Sequence, residues 1–212
     1  MRIEGPGPDP AFHRDYRGDL ERLLGQPTSR EARPCPGCDL VCPKCGSQSC
    51  NCNCSPNCEL APRMLSSDPD DHPIETNIVP LVYALYSLRM TPPCWSCEGH
   101  YNRQGELDKL PRVWFNARSL AIPNLLAELL SEARIAGKLS LPWHVCLVSW
   151  SEGIDVTFSV EPKVNPTDDP QLNLLRRDVR TIAEGLEADM RIMSRHRISQ
   201  LDKALGAARR AG

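Results

Sequence analysis

The sequence predicts an α+β fold: a small mixed or antiparallel sheet covered by helices, a cysteine-rich zinc-knuckle module near the N-terminus and a long C-terminal helix. Three observations predict it. Residues that alternate between apolar and polar, near 111–118 and 143–162, indicate strands. Apolar residues spaced by three and four around those stretches indicate helices. Residues 35–58 are rich in cysteine and poor in large apolar side chains, so something other than a hydrophobic core must order them.

Composition and segment boundaries suggest a small cytoplasmic protein. We divide the 212 residues into an N-terminal helix or tail at 1–28, a cysteine-rich metal-binding module at 29–66, an α+β domain at 67–165 and a C-terminal helix at 166–212. The first residues contain no apolar signal segment and no apolar run long enough to span a membrane, so we expect a cytoplasmic location with reduced thiols. The formal net charge of −2 does not favour a general nucleic-acid binder.

Two helices are predicted before the first strand. Residues 10–26 place apolar side chains at helical spacing, namely Phe12, Tyr16, Leu20 and Leu23. Residues 76–90 form the second helix, with Thr76 or Asn77 as its cap. Pro80 then falls in its first turn, where proline is tolerated.

The first predicted strand is PRVWFNAR, at residues 111–118. One face carries Val113, Phe115 and Ala117, and the other carries Arg112, Trp114, Asn116 and Arg118. A helix over residues 122–137 follows, and Gly137 is placed to end it.

A hairpin and a long helix complete the predicted fold. The hairpin joins WHVCLVSW at 143–150 to IDVTFSVEP at 154–162, with one core face and one face that is open to solvent or lines a site. The helical pattern over residues 170–209 would span about 60 Å. A compact domain of this size measures about 40 to 45 Å across. We therefore expect either a break near Gly185 or an overhang that would suit a partner.

The stretch CPGCDLVCPKCGSQSCNCNCSPNC, at residues 35–58, indicates zinc. A CxxC turn presents two sulfur atoms to one ion, and zinc closes its structural sites with four ligands, about 2.3 Å from each sulfur. We predict about two zinc ions, held by eight cysteines: Cys35, Cys38, Cys42, Cys45, Cys50, Cys52, Cys54 and Cys58. Either the later cysteines complete each CxxC pair, or the CxCxC run bridges two ions, because alternate residues of an extended chain point the same way.

Other uses of these cysteines rank below zinc. A disulfide framework is typical of small secreted domains. An iron–sulfur cluster is less favoured, although residues 38–45 have the CxxxCxxC spacing of radical S-adenosylmethionine enzymes. Lys44 stands where that family usually has an aromatic residue, and the predicted element order lacks the repeating β/α units of a barrel.

A second candidate site lies in PPCWSCEGH, at residues 92–100. We expect a turn at Gly99 that lets neighbouring side chains converge, with HPIE at residues 72–75 upstream. A thiol beside a histidine and a carboxylate forms a nucleophile or a metal site. The catalytic candidates are Ser96, Cys97, Glu98, His100 and His72. Alternatively, Cys94 and Cys97 complete the zinc module or pack in the core.

The same segment resembles a family. A helix, a serine–cysteine–small–glycine–basic segment and a strand resemble the small tRNA-modifying methyltransferases of wybutosine synthesis, and also unassigned bacterial proteins with SCEGH before a PxVxF strand. The resemblance covers residues 76–160; His100 stands where the family has arginine, and Glu98 is an addition. It implies an α+β domain that binds RNA or a nucleotide cofactor at the SCEGH turn. Arg112, Trp114 and Asn116 would then face that site as cofactor-binding residues.

Two functions follow from these observations. The first is a zinc-binding protein whose metal-stabilised binding or adaptor module is joined to an α+β domain with a candidate site at residues 96–100. The alternative is a metal-containing enzyme that acts on RNA or a nucleotide-like substrate through the SCEGH turn. A protein or RNA partner suits either function, no membrane partner is expected, and the C-terminal helix is a candidate for association.

We expect the purified protein to contain about two zinc ions per chain, because eight thiolates fill two tetrahedral sites. Elemental analysis checks this number, and iron with sulfide, or no metal at all, would contradict it. Chelation should unfold residues 29–66, whose order depends on the metal, while the α+β domain keeps its own core. The circular dichroism signal should therefore fall only in part.

Overall fold

The structure confirms the α+β class and an antiparallel sheet. It is a computed structural model that describes residues 10–28, 74–149, 156–164 and 171–211. Within these ranges the chain forms four helices and one sheet of four strands. The zinc-knuckle module with its eight cysteines, and His72, lie outside the described residues.

The elements alternate between helices and two hairpins. In chain order they are α1 (Pro10–Gly25), α2 (Val79–Ser87), β1 (Pro93–Tyr101), β2 (Leu107–Ala117), α3 (Ala121–Ile135), β3 (Trp143–Ser149), β4 (Val156–Pro162) and α4 (Leu172–Ala211). The sheet order is β1-β2-β4-β3, and every neighbouring pair is antiparallel. The predicted strand at 111–118 and the predicted hairpin are therefore confirmed, and β1 and β3 form the two edges of the sheet.

The expected turn at residues 96–100 is wrong. These residues belong to β1, which pairs with β2 from Pro93 to Tyr101. The apolar alternation that marks a half-buried strand is missing here, because Glu98 and Tyr101 of β1 make polar contacts with α4 instead of entering an apolar core. Gly99 has a φ of +83°, a value that interrupts the regular strand geometry.

The core lies between the helices and one face of the sheet. Val113 and Phe115 of β2 and Val160 of β4 are fully buried there, as the predicted strand faces require. Leu20 and Leu23 of α1 belong to the same buried cluster. The N-terminal helix therefore shares one core with the sheet and the C-terminal helix.

Helix α4 continues without a break through Gly185, so the structure excludes the break, and of the two predicted alternatives the overhang remains a prediction. Its buried stripe matches the sequence pattern and consists of Leu172, Leu175, Val179, Ile182, Leu186 and Met190. Helices α1 and α3 pack along it, and the ion pairs Arg17–Asp202 and Arg197–Glu128 join them to its later turns. Neighbouring helices thus accompany α4 as far as Asp202.

The helix ends are partly as predicted. Gly137, with a φ of +72°, follows the end of α3 and confirms the predicted stop. Thr76 and Asn77 do not cap α2, because Ile78 occupies the N-cap position and makes no side-chain cap bond. Asn77 instead contacts Glu98 of β1.

Asp178 of α4 connects the helix layer to the far edge of the sheet. Its carboxylate is fully buried and accepts the backbone N–H groups of Ser140 and Leu141 at 2.9 to 3.0 Å. The indole N–H of Trp143, the first residue of β3, donates to the same carboxylate at 3.2 Å. A buried carboxylate needs such donors, and here they hold the start of β3 against α4.

Candidate metal centre

A carboxylate and a histidine meet at the exposed edge of β1. Glu75 precedes α2, and its side chain is 7% exposed. Its Oε1 lies 2.7 Å from Nε2 of His100, and its Oε2 accepts the backbone N–H of Glu98 at 2.7 Å. Because β1 is an edge strand, its outward N–H groups have no partner strand to bond with. Glu75 supplies the hydrogen-bond acceptor for one of them, the N–H of Glu98.

The thiol of Cys97 completes a group of three donors that we call the edge site: Glu75, Cys97 and His100. One ligand atom from each lies within 4.8 Å of the other two. Residues three apart on a regular strand point to opposite faces. The positive φ of Gly99 interrupts that alternation between Cys97 and His100. Gly99 also donates its N–H to the Cys97 sulfur at 3.4 Å.

Glu98 has a different role, because both of its carboxylate oxygens are engaged. Oε1 accepts a bond of 2.6 Å from Arg176 of α4. Oε2 accepts the backbone and side-chain N–H groups of Asn77 at 2.7 and 3.0 Å. The guanidinium of Arg176 also donates to the carbonyl of Gly99 at 3.1 Å. Glu98 therefore fastens β1 to α4 and to the segment before α2, and both of its oxygens are already engaged.

The structure sorts the sequence candidates into separate places. Cys97 and His100 come together at the edge site with Glu75, while Glu98 holds the surrounding frame. Ser96 pairs with the buried Val113, and its buried hydroxyl makes no hydrogen bond within the described residues. Ser96 is thus not the partner of the thiol or of the imidazole.

The predicted cofactor residues lie on the outer face of the sheet, which is the face opposite the helices. Arg112, Trp114 and Asn116 alternate with the buried residues of β2, as the sequence predicts. Trp114 packs on Trp95 of β1, with ring centroids 4.7 Å apart. The polar contacts of Arg112 and Asn116 go to β4 rather than to Glu75 or His100.

A second group of donors, which the sequence analysis missed, lies on the same outer face. Ligand atoms of His144, Cys146 and Glu161 all lie within 4.8 Å of one another, and we call this group the outer-face site. Burial and the negative charge of Glu161 raise the pKa of the Cys146 thiol. One signal for this group was present in the sequence, because His144 and Cys146 are two residues apart on a predicted strand. The strand register that brings Glu161 opposite them could not be read from the sequence.

Comparisons with known proteins yield no family for this chain. No family model, curated protein or solved structure matches it. The resemblance to wybutosine-synthesis methyltransferases therefore stays a prediction. Among the residues that the structure describes, no helix has the length and apolar character needed to cross a bilayer.

Gly99→Ala should destabilise the fold more than Gly105→Ala. Both glycines have a φ of +83°, so alanine is strained by about 1 to 2 kcal/mol at either position. Only at Gly99 would the new Cβ lie 2.7 Å from Leu172 and 2.8 Å from Pro111, whereas Gly105 has nothing within 4 Å. Urea denaturation should show about 1 to 3 kcal/mol of additional loss for Gly99→Ala. Equal losses would mean that the packing around Gly99 relaxes freely.

Proposed function

We propose that this protein binds metal, with one zinc-class divalent ion held by Glu75, Cys97 and His100, in addition to the zinc ions predicted for residues 35–58. The observation that carries the proposal is the approach of three donors of different chemistry to within 4.8 Å of one another. Ligands of a tetrahedral zinc ion are about 3.3 to 3.6 Å apart. Small side-chain movements are enough to bring these donors to such distances.

The surrounding contacts support a site that is already oriented. Oε2 of Glu75 is fixed by the N–H of Glu98, which leaves Oε1 directed at Nε2 of His100. Contacts of this kind orient metal ligands in proteins. The ion would bind between Oε1 of Glu75 and Nε2 of His100, and Cys97 would bind as the thiolate, releasing its proton to solvent.

The number of ligands separates the two functions that the sequence leaves open. Three protein ligands leave a fourth position for water, as in catalytic zinc sites, and the His100 side chain is 38% exposed, so solvent reaches this edge. A fourth protein ligand would close the site and make it structural. His72 precedes Glu75 by three residues in the sequence and is the candidate for that position. An open site favours the enzyme, and a closed one favours the adaptor.

Removing an edge-site ligand should remove one metal ion. We expect Cys97→Ser and His100→Ala each to lose one zinc ion per chain, or more than about 100-fold in affinity for it. Native mass spectrometry of the full-length protein counts the ions. His196→Ala is the matched control, because His196 is exposed on α4 and outside both donor groups.

The experiment also includes the His72→Ala variant, and the melting temperature of each variant is measured. If His72 closes the site, its substitution should match His100→Ala; if the fourth position is open, the ion should remain. Unchanged ion counts in both edge-site variants, with a large drop in melting temperature, would end the metal proposal. His100 and Cys97 would then be parts of the polar framework that fastens β1.

A second candidate function, binding of a phosphate-bearing ligand, rests on a different observation. A cavity of about 310 Å³ opens beside the start of α3 and is lined by Arg22, Arg89, Arg118 and Asn116. Asp19 also lines the cavity and forms an ion pair with Arg22. The guanidinium groups of Arg89 and Arg118 still outnumber this carboxylate near a helix N-terminus, which favours an anion. This cavity lies at the start of β1, beside Pro92, whereas His100 lies near the end of that strand. It would suit the RNA or nucleotide substrate of the alternative function.

ADP and a short single-stranded RNA should test this cavity directly. We expect Arg89→Gln to weaken binding of either ligand at least about tenfold, because one charged hydrogen bond to phosphate is lost. Arg103→Gln is the control, because Arg103 is an exposed arginine in the loop between β1 and β2. Isothermal titration measures both, and equal affinities in the two variants would exclude the cavity as the binding site.

A further inference from the structure

The outer face of the sheet carries polar and titratable side chains where the opposite face carries the core. On the β3–β4 ladder, His144 pairs with Glu161, and Cys146 pairs with Ser159. His144 and Cys146 are two residues apart on β3, so both point to the same face. Their ligand atoms and a carboxylate oxygen of Glu161 lie within 4.8 Å of one another.

The imidazole of His144 has an unsatisfied nitrogen directed into this group. Its Nε2 is buried and makes no hydrogen bond within the described part of the chain. Oε1 of Glu161 is 3.7 Å away, which is beyond hydrogen-bond distance. Buried polar atoms are nearly always paired, and a bound ion is one of the few explanations for an exception.

Glu161 is held in the orientation that a ligand needs. Its Oε2 accepts the hydroxyl of Ser159 at 2.6 Å and lies 3.9 Å from the guanidinium of Arg112. These two contacts engage one oxygen and leave Oε1 directed at His144. Hydrogen-bonded carboxylates of this kind are typical of metal sites, where outer partners fix the ligating oxygen.

We infer that His144, Cys146 and Glu161 form a second site for a zinc-class divalent ion on the outer face of the sheet. Imidazole nitrogen and thiolate sulfur select zinc over magnesium or calcium, which prefer oxygen ligands alone. On binding, the Cys146 sulfur would form a bond to the ion and release its proton to solvent. The three residues leave a fourth position for water or for an exogenous ligand.

This site is independent of the edge site. The edge site uses β1 and the residue before α2, whereas the outer-face site uses β3 and β4, and no residue is shared. The His144 side chain is 38% exposed and that of Arg112 is 32% exposed, so an ion can enter from solvent. A result that disproves metal binding at one site therefore does not disprove it at the other.

Ion counting on single-ligand variants tests the inference. The full-length protein, saturated with zinc, should lose one ion per chain by native mass spectrometry when Cys146→Ser or His144→Asn is introduced. His196→Asn is the matched control for His144→Asn, because His196 is an exposed histidine of α4 that belongs to neither donor group, and its ion count should equal that of the wild type. Cys97→Ser combined with Cys146→Ser should lose two ions.

Cobalt identifies the ligands. Titration with Co²⁺ of protein whose other sites hold zinc should produce a thiolate-to-cobalt charge-transfer band that Cys146→Ser abolishes. Glu161→Gln keeps the side-chain shape and the oxygen that accepts the hydroxyl of Ser159. It is the replacement test if the Cys146→Ser protein does not fold. We expect Glu161→Gln to weaken Co²⁺ binding at least about tenfold. Unchanged ion counts in folded Cys146→Ser and His144→Asn proteins, or a band that survives Cys146→Ser, would overturn the inference.

Discussion

The attachment of β1 to the helix layer is the constraint on which the rest of the domain depends. β1 is an edge strand, and several of its outward peptide groups would otherwise face solvent or the partly buried start of α2. Glu75 accepts the N–H of Glu98, and Arg176 donates to the carbonyl groups of Glu98 and Gly99. The bond between Glu75 and the N–H of Glu98 protects the strand edge and also orients a proposed ligand of the edge site. Under the proposed metal binding, stability and function would be coupled at this edge.

Helix α4 secures both edges of the sheet from its first two turns. Arg176 is bonded to β1, and Asp178, two residues later, holds the residues that lead into β3. Residues two apart on a helix point in different directions, so one helix can reach both edges while its apolar stripe covers the core between them. Helix α4 therefore contacts residues at both edges of the sheet within one turn.

Both candidate metal sites take ligands from strands, which makes their geometry comparatively rigid. At the outer-face site all three ligands come from the β3–β4 ladder, whose register sets their separation. At the edge site, a residue outside the sheet, Glu75, meets two ligands on β1. Sites built on regular elements hold their ligands more accurately than sites built on loops. The irregular backbone at Gly99 is the one departure from regular strand geometry that the edge site requires.

The sequence by itself determined the elements that have a strong apolar period. The stripe of α4, the buried face of β2 and the β3–β4 hairpin were all evident, because hydrophobic burial repeats at 3.6 or 2 residues and leaves that period in the chain. It also singled out Cys97 and His100 as site candidates, by residue type alone. The expected turn at Gly99 failed, because β1 is fastened by polar contacts to residues far away in sequence and so carries no clear apolar alternation.

Only the tertiary structure decided which candidates meet. Glu98 is engaged by Arg176, which lies 78 residues later, and this contact removes it from the site, whereas Glu75 enters the site from 25 residues before His100. Glu161 reaches His144 only because β4 pairs with β3 in one particular register. Such pairings depend on chain reversal and on strand register, which are properties of the whole fold. Local residue patterns contain little information about them.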